Sequence, residues 1–261
     1  MKFAAVSAVL ASVCVFISGC VQEHLIMDGK ESFHVAKETD KGRAANHRAA
    51  IAVRLIQTGQ ASLAKSNLQK GLELDPDCFE CKLAFAYYYQ VVGEKTHAYN
   101  AFNSLMSEYG DRGEVFNNYG VFLCSENKFS EAYQMFERAV TTPSFSMADD
   151  TLVQASLCAA KQGDDDRAIK YIDRSLDYDA VNTVALLQRA NLALNKGDLT
   201  TAKAMMNRYS HLTPDTPESL FIKLRIAEGN NEIEKAEEIG NRLVDMYPDS
   251  VQAKKYQQND Y

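Results

Sequence analysis

Cysteine and histidine are the side chains here best suited to nucleophilic, redox or metal chemistry. Six cysteines occur, at positions 14, 20, 78, 81, 124 and 158. Cys78-Phe79-Glu80-Cys81 is a C-x-x-C pair, which in a strand–helix–strand setting would suggest thiol–disulfide exchange. Its surroundings are helical, so three readings stay open: a structural disulfide formed in an oxidising compartment, two thiols without a special role, or redox work. Cys124 and Cys158 fall on helix positions and read as small packing residues. The five histidines, His24, His34, His47, His97 and His211, are scattered and form no HExxH or Cys/His ligand spacing. No phosphate-binding glycine loop and no nucleophile elbow is present. Asp164-Asp165-Asp166 follows Gly163 without the spacing of a calcium loop, and reads as acidic residues complementing a helix dipole. These features predict a protein that is not an enzyme and has no cofactor or small-molecule substrate. The formal net charge of −7 argues against nucleic acid as a partner.

Covalent chemistry of another kind is suggested at the amino terminus. Met1-Lys2 is followed by an uncharged, mostly apolar run from Phe3 to Ile17, closed by Ser18-Gly19-Cys20. The run is short for a membrane span. It resembles a lipoprotein signal peptide over residues 1–19, with Cys20 receiving the lipid. Val21, in place of an aspartate, favours the outer membrane. Residues 20–44, rich in charge and holding Gly29 and Gly42, read as the lipidated cysteine and a flexible tether.

The remainder repeats. Ala64, Ala98 and Ala132 are 34 residues apart, as are Ala168, Ala202 and Ala236, with one step of 36 between the two sets. The extra residues are placed in Thr141-Thr142-Pro143-Ser144. Five residues before each alanine stands Gly59, Gly93, Asn127, Gly163, Gly197 or Asn231, residues that tolerate the left-handed conformation at a helix end. Twelve before it the side chain is small, except at Leu224 in the last unit. Four after it the side chain is bulky, except at Gly240 in the same unit. A 34-residue helix–turn–helix unit with these columns resembles the tetratricopeptide repeat. The predicted fold is all-α: a superhelix of about six repeats over 45–250, at 45–78, 79–112, 113–148, 149–182, 183–216 and 217–250. Residues 251–261 form a tail or cap.

In this repeat the first helix of each pair lines a concave face. Its inward positions give Ala49, Val53 and Ile56, then Leu83, Tyr87 and Gln90, then Asn117, Val121 and Cys124, then Val153, Leu157 and Ala160. A partner-binding groove is therefore expected on Val53, Ile56, Leu83, Tyr87, Asn117, Val121, Val153 and Leu157. An apolar groove of this kind suits a protein segment.

One stretch adds a resemblance. Val115-Phe116-Asn117-Asn118-Tyr119-Gly120-Val121-Phe122-Leu123-Cys124, followed by Phe129-Ser130-Glu131-Ala132-Tyr133, resembles the third repeat of the type IV pilus biogenesis and stability lipoproteins, the pilotins of the pilus secretin. The signal, the repeat number and the length agree with that family. The resemblance implies a lipoprotein at the periplasmic face of the outer membrane, held to the membrane by its lipid. It would bind the secretin subunit and support its localisation and assembly, and with it pilus biogenesis and twitching motility. It also implies Gly120 as a close-packing residue and Tyr119 as a core one. The C-x-x-C is not a feature of that family. Two other functions stand beside this one: a scaffold for a different envelope complex, such as cell-wall synthases or hydrolases, and a thiol oxidoreductase using Cys78 and Cys81.

Overall fold

The computed structural model describes residues 40–143, 145–259 and 261. The expected signal, Cys20 and most of the tether lie outside the described residues. Thirteen helices and no strand occur among the described residues. The first three hairpins pair α1 (Asp40–Gln57) with α2 (Ala61–Leu74), α3 (Phe79–Val91) with α4 (Lys95–Glu108), and α5 (Gly113–Ser125) with α6 (Phe129–Thr141). Three more pair α7 (Ala148–Gln162) with α8 (Asp165–Tyr178), α9 (Thr183–Asn195) with α10 (Leu199–Ser210), and α11 (Pro217–Gly229) with α12 (Ile233–Met246). A final helix, α13 (Val251–Gln258), packs on the last hairpin. No described helix is long and apolar enough to cross a membrane.

The turns follow from the glycine/asparagine column. Gly59, Gly93, Asn127, Gly163, Gly197 and Asn231 all have positive φ, between 58° and 84°. In each turn the next residue donates its backbone N–H five residues back, as Lys128 does to Leu123 and Asp164 to Ala159, both at 2.9 Å. Carbonyls left free at the helix end are thereby satisfied. The following helices start on side-chain caps where the sequence supplies them. Asp164, Asn182, Asp198 and Ser250 each accept a backbone N–H from the first turn, and Thr216 with Ser219 closes a capping box around Pro217.

Small-against-large packing holds each hairpin together. The alanine column is buried throughout, and so are Leu68, Phe102, Phe136, Ile172 and Met206 four residues on. Gly120 shows the geometry: a Cβ there would stand 2.8 Å from the Phe136 ring. The sixth unit inverts the pair. Leu224 is fully buried where the others are small, and Gly240 provides the space where the others are bulky. A Cβ at Gly240 would collide with the ring of Tyr256 from α13, which occupies that place. Valine at Gly240 is therefore expected to expel Tyr256 and free α13. Hydrogen exchange should then show the α13 amides losing protection while those of α1 to α10 keep theirs; unchanged protection would contradict this packing.

One boundary differs from the expected one, and the insertion falls between α6 and α7. Helix α1 starts at Asp40, so residues 40–44 are helix rather than tether. Its buried stripe is Gly42, Ala45, Ala49, Ala52 and Ile56, a helical spacing whose first member is a glycine flanked by Lys41 and Arg43 and thus hard to see as apolar. The two-residue insertion lengthens the connection from α6 to α7 and turns Phe145 back onto Gly113, where a Cβ would collide with its ring.

The junction of the third and fourth units is tied more closely than the repeat pattern suggests. Arg174 grips Glu137 with two hydrogen bonds, 2.6 and 3.1 Å, which hold the Glu137 carboxyl below its ordinary pKa. The Lys161 ammonium donates to the terminal carbonyls of α5 at Cys124 and Ser125, both at 3.0 Å. Tyr133 stacks on Tyr171, whose hydroxyl is pushed up to about 12 by burial and by the nearby Glu137.

Candidate functional site

The concave face is built by the first helix of each hairpin, and its shape is set by where those helices carry small side chains. Ala49, Ala50 and Ala84 leave a hollow of about 420 Å³ between α1 and α3, walled by Val53, Leu83 and Tyr87. Asn46, Gln57, Glu80 and Asn118 supply its polar edge. The lining is mostly apolar with a few converging polar groups, the usual make-up of a recognition site. A second hollow of about 300 Å³ lies further along between α9, α11 and α13, where Leu187, Phe221 and Ile222 meet Asn191 and Gln252.

Of the expected groove residues, Val53, Leu83 and Tyr87 come together in the first hollow. Asn117 and Val121 are half-buried on α5, and the Asn117 amide oxygen accepts a 3.0 Å hydrogen bond from the Thr151 hydroxyl of the next unit. Leu157 is 42% exposed. Ile56 and Val153 are corrections: they are 4% and 2% exposed and belong to the core. Ile56 belongs to the buried cluster that holds Leu68 and Tyr88, and Val153 to the one that holds Leu123 and Leu152, because each inward column also meets the adjacent helix. Ala50, Ala84 and Asn118, one residue beyond an expected inward position, were missed. The second hollow was missed as well, since the expected groove stopped at the fourth unit.

The four cysteines among the described residues form two disulfides. Cys78 and Cys81 are bridged, with Cα atoms 5.3 Å apart, and both are buried. Cys78 also caps α3, its sulfur accepting the Cys81 N–H at 3.1 Å. Such a buried bridge offers no sulfur to an attacking thiolate, which favours the structural reading over redox work. Cys124 and Cys158, expected to be separate packing residues, are instead bonded to each other across α5 and α7. Their separation of 34 residues is two short of the 36-residue step between these units, so they hold different repeat positions and no column pairs them. Two members of the acidic run have surface partners: Asp164 caps α8, and Asp166 pairs with Lys196, which lowers its pKa. Among the described residues no cluster of side chains could hold a metal ion.

A family model described as "Tetratricopeptide repeat" matches residues 187–251, and the paired helices continue the same unit back to α1. The chain has the tetratricopeptide repeat fold. Among curated proteins, this tetratricopeptide chain is 27% identical to the type IV pilus assembly protein PilF of Pseudomonas aeruginosa, over 84% of its own length and 88% of PilF. It is 36% identical to an uncharacterised protein of Haemophilus influenzae, over 44% of its length and 65% of that protein. The solved structure of PilW, a widely conserved type IV pilus biogenesis factor, superposes with a TM-score of 0.68 at 24% identity, over 81% of this chain and 97% of that one.

Proposed function

We propose that this chain is an outer-membrane pilotin. Anchored by lipid on Cys20 at the periplasmic face, it holds part of a type IV pilus secretin subunit on its concave face and promotes the secretin's localisation and assembly. Pilus biogenesis and twitching motility depend on that assembly. The observation that carries this reading is the apolar hollow walled by Val53, Leu83 and Tyr87, on a chain similar to PilF along nearly its whole length. The two disulfides fit an exported protein, since such bonds persist in oxidising compartments.

The chemistry is association without turnover. A secretin segment would bury apolar side chains against Ala49, Ala50 and Ala84, and the half-buried Tyr87 and the Asn118 amide would fix its orientation. Ala50 is exposed inside the hollow, so phenylalanine there fills the space without disturbing the core. Ala50→Phe is expected to weaken co-purification of the secretin subunit about tenfold or more while leaving the melting curve unchanged. Undiminished co-purification would sink the assignment of this hollow.

A further inference from the structure

The rim of the concave face bears on the chemistry of whatever binds there. Glu80, Glu114, Asp150 and Glu218 stand at one position of the repeat, each 18 residues before the buried alanine of its own unit. They lie in the first turns of α3, α5, α7 and α11, and Asp149 stands beside Asp150. Asn46 and Val184 are the two interruptions. Glu80 edges the first hollow and Glu218 the second, so the acidic row follows the apolar strip.

One ion pair reaches this row among the described residues: Glu114 meets Arg112 at 3.5 Å. Asp149 and Asp150 accept hydrogen bonds from the Asn182 amide, and Glu218 accepts one from Gln252. Amides satisfy hydrogen bonding without neutralising a carboxylate. A helix N-terminus offsets part of an adjacent negative charge, and the first turns of α6, α8 and α12 carry acids too while those of α2, α4 and α10 carry none; what sets this column apart is its fixed register beside the two hollows. Aligned like charges beside an apolar cleft attract an oppositely charged ligand and orient it.

We propose that the concave face takes a cationic amphipathic segment. Its apolar side chains enter the hollow between Val53, Leu83 and Tyr87, and its lysine or arginine side chains lie along Glu80, Glu114 and Asp150. This rests on the concave face being the binding surface and not on which protein supplies the segment.

The test uses the full chain in detergent and fluorescent peptides roughly five helical turns long. One carries leucine and lysine on opposite faces, a second has glutamate for every lysine, and a third has serine for every leucine. Anisotropy at physiological salt should show the leucine–lysine peptide binding about tenfold or more tightly than either twin. Glu80→Lys with Glu114→Lys should remove that advantage. Glu237→Lys with Glu238→Lys, the same change in net charge at exposed positions on the outer helix α12, should bind like the wild type. Equal losses in the two double variants, or equal binding of the serine or glutamate twin, would overturn the proposal. Self-association of the chain blocked by Ala50→Phe would also overturn it, by making a second copy the occupant. No secretin enters this assay, so its failure is separate from failure of the pilotin reading.

Discussion

Gly120→Leu is expected to destabilise the chain by about 3 kcal/mol or more, at or beyond the upper end of ordinary overpacking. Even the first added carbon would stand 2.8 Å from the Phe136 ring, and α5 and α6 cannot separate without disturbing the stacks on both sides. Urea unfolding followed by circular dichroism measures the loss. Removing the ring should make room for the new side chain, so Phe136→Ala should relieve part of the damage in Gly120→Leu. The double variant should be more stable than the sum of the single losses allows. Additive losses, or a Gly120→Leu protein as stable as the wild type, would contradict this account of the hairpin interior.

The second large effect is expected at the bridge between the third and fourth units. Cys124→Ala with Cys158→Ala should cost about 3–4 kcal/mol, because the bond closes a long loop in the unfolded chain. Alanine leaves no unpaired polar atom in the buried site. Cys78→Ala with Cys81→Ala, closing only a three-residue separation, should cost about 2 kcal/mol or less. Reductant should therefore lower the wild-type melting temperature strongly and that of the Cys124/Cys158 variant only slightly. Equal sensitivity of both proteins would show that the long-range bridge is not the one that matters. The location has a physical reason. The two-residue insertion lengthens this connection, and the disulfide, the Arg174–Glu137 pair and the Lys161 contacts with the α5 carbonyls all cross the same junction.

The repeat columns made the fold legible, because turn chemistry and hairpin packing recur at fixed phase. Asn127 and Asn231 adopt the left-handed turn as the four glycines do, so a residue-type rule was enough. Leu224 and Gly240 stand out in the sequence as exceptions to their columns, and the space at Gly240 is filled by the Tyr256 ring from α13, a residue outside the repeat columns. The site was less legible. A helical face is about one residue wide in sequence terms, so the same register that placed Val53, Leu83 and Tyr87 in the hollow also selected Ile56 and Val153, which neighbouring helices cover. The hollow depends on what is absent at Ala50 and Ala84, and small residues carry little signal beside a tyrosine. The Cys124–Cys158 bond joins residues of two units, a relation that reading each helix alone does not bring out.

The proposed assembly of a secretin by this chain is open to one decisive experiment: deleting its gene and separating secretin monomer from the detergent-resistant multimer, in isolated outer membranes on a gel. Loss or mislocalisation of the multimer is expected, restored by the wild-type gene, poorly by Cys20→Ala and poorly by Ala50→Phe. A normal multimer with normal pili in the deletion strain would contradict it.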